Sequence, residues 1–152
     1  MSEFHLPPTH PLHHKQILAL DYGEKFIGVA LFYVNQDPYP LSYGRIENKN
    51  AAFTFKELKK ILDQEGVDLI VVGIPYLLDG KKTKMSEKIE SFISLLKDQF
   101  SLPIEVQDET LSTFEAESRM KNSPRYDFKV DLKQIDALAA TVILEDFIRR
   151  NN

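Results

Sequence analysis

The chain contains no cysteine, which excludes disulfides, thiolate metal ligands and a thiol nucleophile together. It has no apolar run long enough to span a bilayer. The N-terminus also lacks the basic-then-apolar pattern of a secretory leader. These absences lead to the expectation of a cytoplasmic protein with no membrane partner. A strong excess of one charge is missing as well: 23 acidic residues face 19 basic ones, for a net charge of −4. That balance argues against a protein that coats nucleic acid by bulk electrostatics, so any polyanion must meet a local patch. No repeat and no linker divides the 152 residues, and 43% hydrophobic content supports one compact core.

Residues 1–15 are rich in proline and histidine and read as a mobile extension, with residues 16–150 forming the single folded domain. All four histidines, His5, His10, His13 and His14, lie in that extension. No apolar framework there fixes a metal-ligating geometry, so disorder is the expectation.

Three apolar runs at residues 16–20, 26–33 and 41–46 predict a meander of antiparallel strands. Phe55, Leu58 and Leu62 recur at helical spacing within residues 51–65, and Gly66 closes that helix. The apolar run Leu69-Ile70-Val71-Val72 predicts a buried strand. Met85, Ile89, Phe92, Ile93 and Leu96 mark a second helix, and alternation from Ile104 to Gln107 marks a fifth strand. Ser112 and Glu115 have capping-box spacing, so a helix is expected to begin near Ser112. Leu132, Ile135, Ala139, Val142, Ile143 and Phe147 predict the inward stripe of a closing helix. Strands alternating with helices imply parallel pairing in the second half. The expected fold is α/β: a mixed five-stranded sheet, antiparallel then parallel, flanked by helices.

Three acids stand where ordinary packing would choose otherwise. Asp21 ends the run Ile17-Leu18-Ala19-Leu20, just before a turn at Tyr22-Gly23. Glu109 follows the fifth strand at its junction with a helix. Asp136 has Ala139, Ala140 and Ile143 at i+3, i+4 and i+7, an expensive position for an ionised carboxylate unless it is paired or bound to a cation. The small residues around it allow the closing helix to approach the sheet and bring Asp136 towards the strand ends. Gly28, inside the second strand, leaves room for something to approach the backbone. Each acid also has an ordinary structural reading: a strand end for Asp21, a helix cap for Glu109, an ion pair with Lys133 or another base for Asp136.

The motifs Ala19-Leu20-Asp21-Tyr22-Gly23 with Ile27-Gly28-Val29-Ala30, Val72-Gly73-Ile74-Pro75 with Asp79-Gly80, Asp108-Glu109 with Leu111-Ser112-Thr113, and Ile135-Asp136-Ala137-Leu138-Ala139-Ala140 with Ile143-Leu144 occur in that order. On these residues the chain resembles the YqgF/RuvX family, bacterial nucleases of the RNase H-like superfamily related to Holliday-junction resolvases. The resemblance implies divalent-metal-dependent phosphodiester cleavage, in maturation of the pre-16S rRNA or on branched DNA, by a monomer or homodimer. By position it makes Asp21, Glu109 and Asp136 the catalytic and metal-binding acids, holding Mg2+ or Mn2+, with two ions expected. Hard cations prefer such oxygen ligands.

Around that centre, Gly23, Gly73, Pro75, Tyr76, Gly80 and Thr113 are candidate substrate contacts. The loop after Gly73 precedes a helix, so its amides could face a phosphate, although a purely structural turn fits as well. Tyr76 is placed to stack on an unpaired base. Lys81, Lys82 and Lys84, and Arg119, Lys121, Arg125, Lys129 and Lys133, are candidate basic patches or plain solvated surface. Residues 121–129 are expected to form a loop near the substrate. Two positions depart from the family: Phe26 and Thr110 stand where it commonly has basic residues, and neither can imitate the planar fork of arginine on phosphate. Lys25 compensates only if the strand is locally irregular. Two further readings therefore stay open: a catalytically silent RNA- or protein-binding module of the same fold, and a sugar-kinase or actin-like enzyme, in which Asp-x-Gly on a first hairpin also occurs.

Overall fold

The three apolar runs of the first half form an antiparallel meander of β1 (Gln16–Asp21), β2 (Phe26–Tyr33) and β3 (Leu41–Glu47). The computed structural model describes residues 3–76, 80–109 and 112–152. After the meander come α1 (Ala51–Glu65), β4 (Leu69–Ile74), α2 (Lys84–Gln99), β5 (Ile104–Asp108), α3 (Ser112–Lys121) and α4 (Ile135–Asn151). A short 3-10 turn at Pro124–Tyr126 joins the last two helices. The sheet order is β3-β2-β1-β4-β5, with β1, β4 and β5 parallel. The five-stranded mixed sheet expected from the sequence is thus the one that forms.

Strand alternation divides the core between two faces. Leu18 and Leu20 of β1, with Ile70, Val72 and Ile74 of β4, pack against Phe55 and Leu58 of α1 and Ile89, Phe92 and Leu96 of α2. Ile17 and Ala19, with Leu69 and Val71, face Ile143, Leu144, Phe147 and Ile148 of α4. Local signals set the helix ends. The Asn50 side chain accepts the Phe53 N–H at 2.9 Å, and Gly66 closes α1 in the left-handed conformation at φ +62°. Thr83 and Ser86 cap α2 reciprocally. At α3 the outcome differs from the capping box expected. Ser112 is already the first helical residue, and Glu115 turns its carboxylate to Arg119 at 3.1 Å.

The stripe predicted for the closing helix is also corrected. Leu132 lies before α4 and is 74% exposed. Helix α4 itself is buried almost all round, because α3 covers a second side of it with Ala116 and Met120 against Leu138 and Ala139. Arg119 bonds Glu145 through two nitrogens, at 2.6 and 3.1 Å, and fastens α3 to α4. That commitment removes Arg119 from the basic patch proposed on sequence grounds. The segment between these helices is ordered by local bonds, with Asp127 and Phe128 at positive φ after the 3-10 turn.

Residues 3–15 depart from the expectation of a mobile extension. Phe4 and Leu6 are buried in the α4-side core, and Phe4 meets Phe32 edge-on at 6.2 Å. The Leu6 N–H donates to the Asn35 side chain at 3.0 Å, whose amide donates back to the Leu6 carbonyl at 2.8 Å. His10 contacts the Asn151 carbonyl and His13 contacts Asn35, so two of the histidines serve as hydrogen-bonding anchors. Two apolar side chains and one reciprocal amide outweigh the proline-rich composition that suggested disorder. Replacement of Asn35 by Ala is expected to cost about 1.5–4.5 kcal/mol, three bonds of about 0.5–1.5 kcal/mol each. Urea unfolding measures that loss, and an unchanged midpoint would mean the segment contributes nothing.

Candidate active site

Asp21, the last residue of β1, lies directly across from Gly28 on β2. A Cβ on Gly28 would fall 1.9 Å from the Asp136 carbonyl oxygen and 3.1 Å from the Ala137 nitrogen. The first turn of α4 therefore rests on the bare backbone of β2, and Asp136 arrives beside Asp21. The close approach anticipated at Gly28 is that of α4. Asp136 lies in the first turn of its helix, where the macrodipole favours negative charge.

Burial, and secondarily the neighbouring Asp136 carboxylate, push the Asp21 pKa up from 3.8 to about 7. Burial also raises the Asp136 pKa, against the opposing pull of Arg45. Arg45 Nη1 stands 3.8 Å from Asp136 Oδ2 and donates to the Leu132 carbonyl at 3.2 Å. Its guanidinium lies over the Phe26 ring, 3.7 Å from the centroid. Asp136 is thus paired with Arg45, the base other than Lys133 that its ordinary reading allowed. Sequence reading missed Arg45, although β3 alternation held the signal. Ile46 points into the α1 and α2 core, so Arg45 takes the opposite face, in register with Gly28.

The raised Asp21 pKa has a definite sign for stability. Between pH about 4 and about 7 the folded protein keeps a proton that the unfolded chain has lost. Its stability therefore falls as pH rises through that window and levels off above it. Asp21→Asn is expected to flatten the profile, removing a slope of at most about 1.4 kcal/mol per pH unit. Chemical denaturation of the metal-free protein at pH 5 and pH 8 measures it. Equal slopes in mutant and wild type would refute the assignment.

The Glu109 N–H donates to the Ile74 carbonyl at 2.9 Å, extending the β4–β5 pairing one residue past Asp108. Because Ile104 and Val106 pack against the α1 and α2 core, alternation assigns Asp108 to that face and Glu109 to the face of Asp21. Strand β4 intervenes, and Glu109 stands two residues beyond the row that runs from Asp21 to Gln107, so the backbones are more than the roughly 10 Å of two strand spacings apart. Among the described residues, no group of three or more His, Cys, Asp or Glu forms a ready metal cage. The structure therefore brings Asp21 and Asp136 together and leaves Glu109 on the same face without closing a cluster.

The other predicted contacts divide. Gly73 lies under α4, where a Cβ would meet Ile143 Cδ1 at 2.4 Å, so its lack of a side chain serves helix packing. Gly23 forms a tight turn: a Cβ would stand 2.5 Å from the Phe26 carbonyl, and Asn48 donates to the Gly23 carbonyl at 2.8 Å. Tyr76 packs partly against the α1 and α2 core, so it is not a free stacking ring. Pro75 is half-buried, while Gly80 and Thr113 are exposed. Leu77, Leu78, Asp79, Thr110 and Leu111 lie outside the described residues. Lys25 stays exposed on the turn. The register of β2 and β3 shifts between Val29 and Ala30, while Phe26 pairs regularly with Glu47, so no irregularity brings Lys25 round.

A family model described as "RuvX: Holliday junction resolvase" matches residues 15–150. The chain belongs to the RuvX family. Among its RuvX relatives, a protein of Maridesulfovibrio salexigens named "Putative pre-16S rRNA nuclease" is 33% identical over 138 residues, covering 89% of this chain and 98% of that one. A relative of the same name from Buchnera aphidicola is 37% identical over 132 residues, covering 86% and 94%. Among solved structures, T. thermophilus RuvC in complex with a Holliday junction substrate superposes with a TM-score of 0.50 at 11% identity. It covers 89% of this chain and 96% of that one. The architecture of this RuvX chain is RNase H-like. A family match across almost the whole chain leaves no place for the two-lobed kinase reading.

Proposed function

We propose that this RuvX chain is a divalent-cation-dependent nuclease that hydrolyses nucleic-acid phosphodiesters at the Asp21 end of the sheet. Its substrate is the pre-16S rRNA, and it acts in the cytoplasm as a monomer or homodimer. The observation that carries this reading is the enforced carboxylate pair. Packing at Gly28 holds Asp136 beside a half-buried Asp21, whose proton affinity is raised by burial first and by that neighbour second. Such a pair repels itself unless a proton or a cation relieves it.

The donor set fits Mg2+ or Mn2+. Asp21 and Asp136 offer hard oxygens, and Glu109 stands on the same face of the sheet to complete the set when substrate and water are present. When bound, two such ions supply activation of water and neutralisation of charge on the leaving oxygen. The protein's own contribution is positional. Asp21 must lose its proton to serve as a ligand, so affinity for a cation weakens below pH about 7. Asp136 is held by a helix that α3 braces through Arg119 and Glu145. Exposed rings at Phe114 and Phe128 offer stacking faces to single-stranded RNA.

The test is cleavage of precursor 16S rRNA and of branched DNA by purified protein, with Mg2+, with Mn2+ and with chelator. Cleavage of the RNA only when a dication is present supports the reading. Preference for the branched DNA would transfer the activity to junction resolution. Cleavage in chelator would overturn the mechanism. Calorimetric titration with Mn2+ separates out the silent module, which would bind none at millimolar concentration.

A further inference from the structure

We propose that Arg45 grips the substrate phosphate beside the carboxylate pair, supplying from β3 the positive charge that Phe26 cannot supply from β2. The inference rests on the nuclease reading and names a substrate contact within that site. Arg45, Gly28 and Asp21 form a row across three strands, since Gly28 pairs with both of the others. Asp136 reaches the same row through the gap that Gly28 leaves. The guanidinium is therefore fixed where a phosphodiester must come to meet the two acids.

Phe26, two residues along β2 from Gly28, has a definite part in this arrangement. Its ring supports the guanidinium face at 3.7 Å, and such stacking restricts the long side chain before any ligand arrives. The existing polar contacts do not use up the fork. Both the 3.8 Å approach to Asp136 and the 3.2 Å bond to the Leu132 carbonyl involve Nη1. Direct charge-assisted bonds run at about 2.7–2.9 Å, so the contact with Asp136 is a loose one. Arg45 keeps 29% of its side chain exposed, and neither contact engages Nε or Nη2.

Competing cations nearby are committed or distant in the fold. Arg119 is held by Glu145 and Glu115, Lys88 by Glu24 at 2.8 Å, and Lys25 lies on the exposed turn. A phosphate approaching two carboxylates needs a counter-charge at the point of contact, and among the described residues Arg45 stands there. The planar fork also matches phosphate oxygens in a way that a point charge does not.

The experiment is binding of a fluorescent precursor-rRNA fragment in chelator, followed by anisotropy across a salt series. It compares wild type, Arg45→Ala, Arg45→Lys and the double variant Phe26→Arg/Arg45→Ala. Arg45→Ala is expected to weaken binding about tenfold, the order of one charge-assisted contact. It should also reduce the slope of log affinity against log salt by about one. Arg45→Lys should restore the slope but not the full affinity, and Phe26→Arg in the alanine background should recover both. The same alanine change in an Asp136→Asn background separates phosphate grip from mere neutralisation of Asp136. A lowered slope there supports the grip, and an unchanged slope overturns it. Unaltered affinity and slope in folded Arg45→Ala also overturn the proposal, while leaving the nuclease assay untouched. Conversely, a wild type that binds with the expected slope but cleaves nothing sinks the nuclease reading and not this contact.

Discussion

Asp21→Asn and Asp136→Asn are each expected to abolish cation-dependent cleavage while the protein remains folded. Each substitution keeps the shape of the side chain and deletes the charge that a hard cation requires. Removing one positioned electrostatic partner commonly costs on the order of 10²–10³ in rate. Two acids that act as a unit should each cost at least that much, and the double variant should cost little more. Stability should move the other way for Asp21. Its carboxylate is disfavoured at pH 8 by burial and by Asp136, so the neutral amide relieves a penalty and the metal-free variant unfolds at higher urea. Single-turnover cleavage and urea titration on the same preparations measure both effects. A variant that retains activity within a few-fold of wild type would remove the carboxylate pair from the mechanism.

Gly28→Val breaks the site from the opposite direction, through the backbone. The added carbon would need the space of the Asp136 carbonyl, 1.9 Å away, and the obstacle is a main-chain atom that no rotamer change can move. Ordinary overpacking costs about 1–3 kcal/mol, because neighbouring side chains can yield. Here β2 and α4 must separate instead, and the cost should exceed that range. Separation also withdraws Asp136 from Asp21, which removes the lesser of the two causes that raise the Asp21 pKa, so that pKa should fall part of the way as activity is lost. Thermal unfolding and carbon-detected NMR titration of the Asp21 carboxyl report the two effects. Native stability in this variant would show that α4 does not rest on Gly28 as described. Gly73→Ala makes an instructive contrast, because its obstacle is the movable tip of Ile143. Its penalty should be smaller, with Asp21 and Asp136 left in place.

Much of the fold was legible because burial writes a period into the chain. Residues 51–65 were predicted as a helix and form one, closed by Gly66 as expected. The run around Leu69 reads as continuous apolar residues because both faces of β4 are covered. Legibility failed where a contact depends on residues far apart in sequence. Leu132 continues the helical spacing of α4 by coincidence, and nothing local reveals that the helix begins only after it. Phe4 and Leu6 sit in a proline-rich stretch, and only the presence of Phe32 and Asn35 opposite them makes that stretch ordered.

The sequence by itself determined the order of strands and helices, the family to which the chain belongs, and the positions of the acids Asp21, Glu109 and Asp136. Those properties rest on local periodicity and on motifs a few residues long. Only the tertiary structure decided which acids meet: Gly28 admits α4 and joins Asp136 to Asp21, while β4 stands between them and Glu109. It alone brought Arg45 over Phe26 and assigned Gly73 to packing, because such placements arise from strand register and helix seating. Contacts of that kind join residues tens of positions apart, a separation across which a short periodic pattern carries no distance.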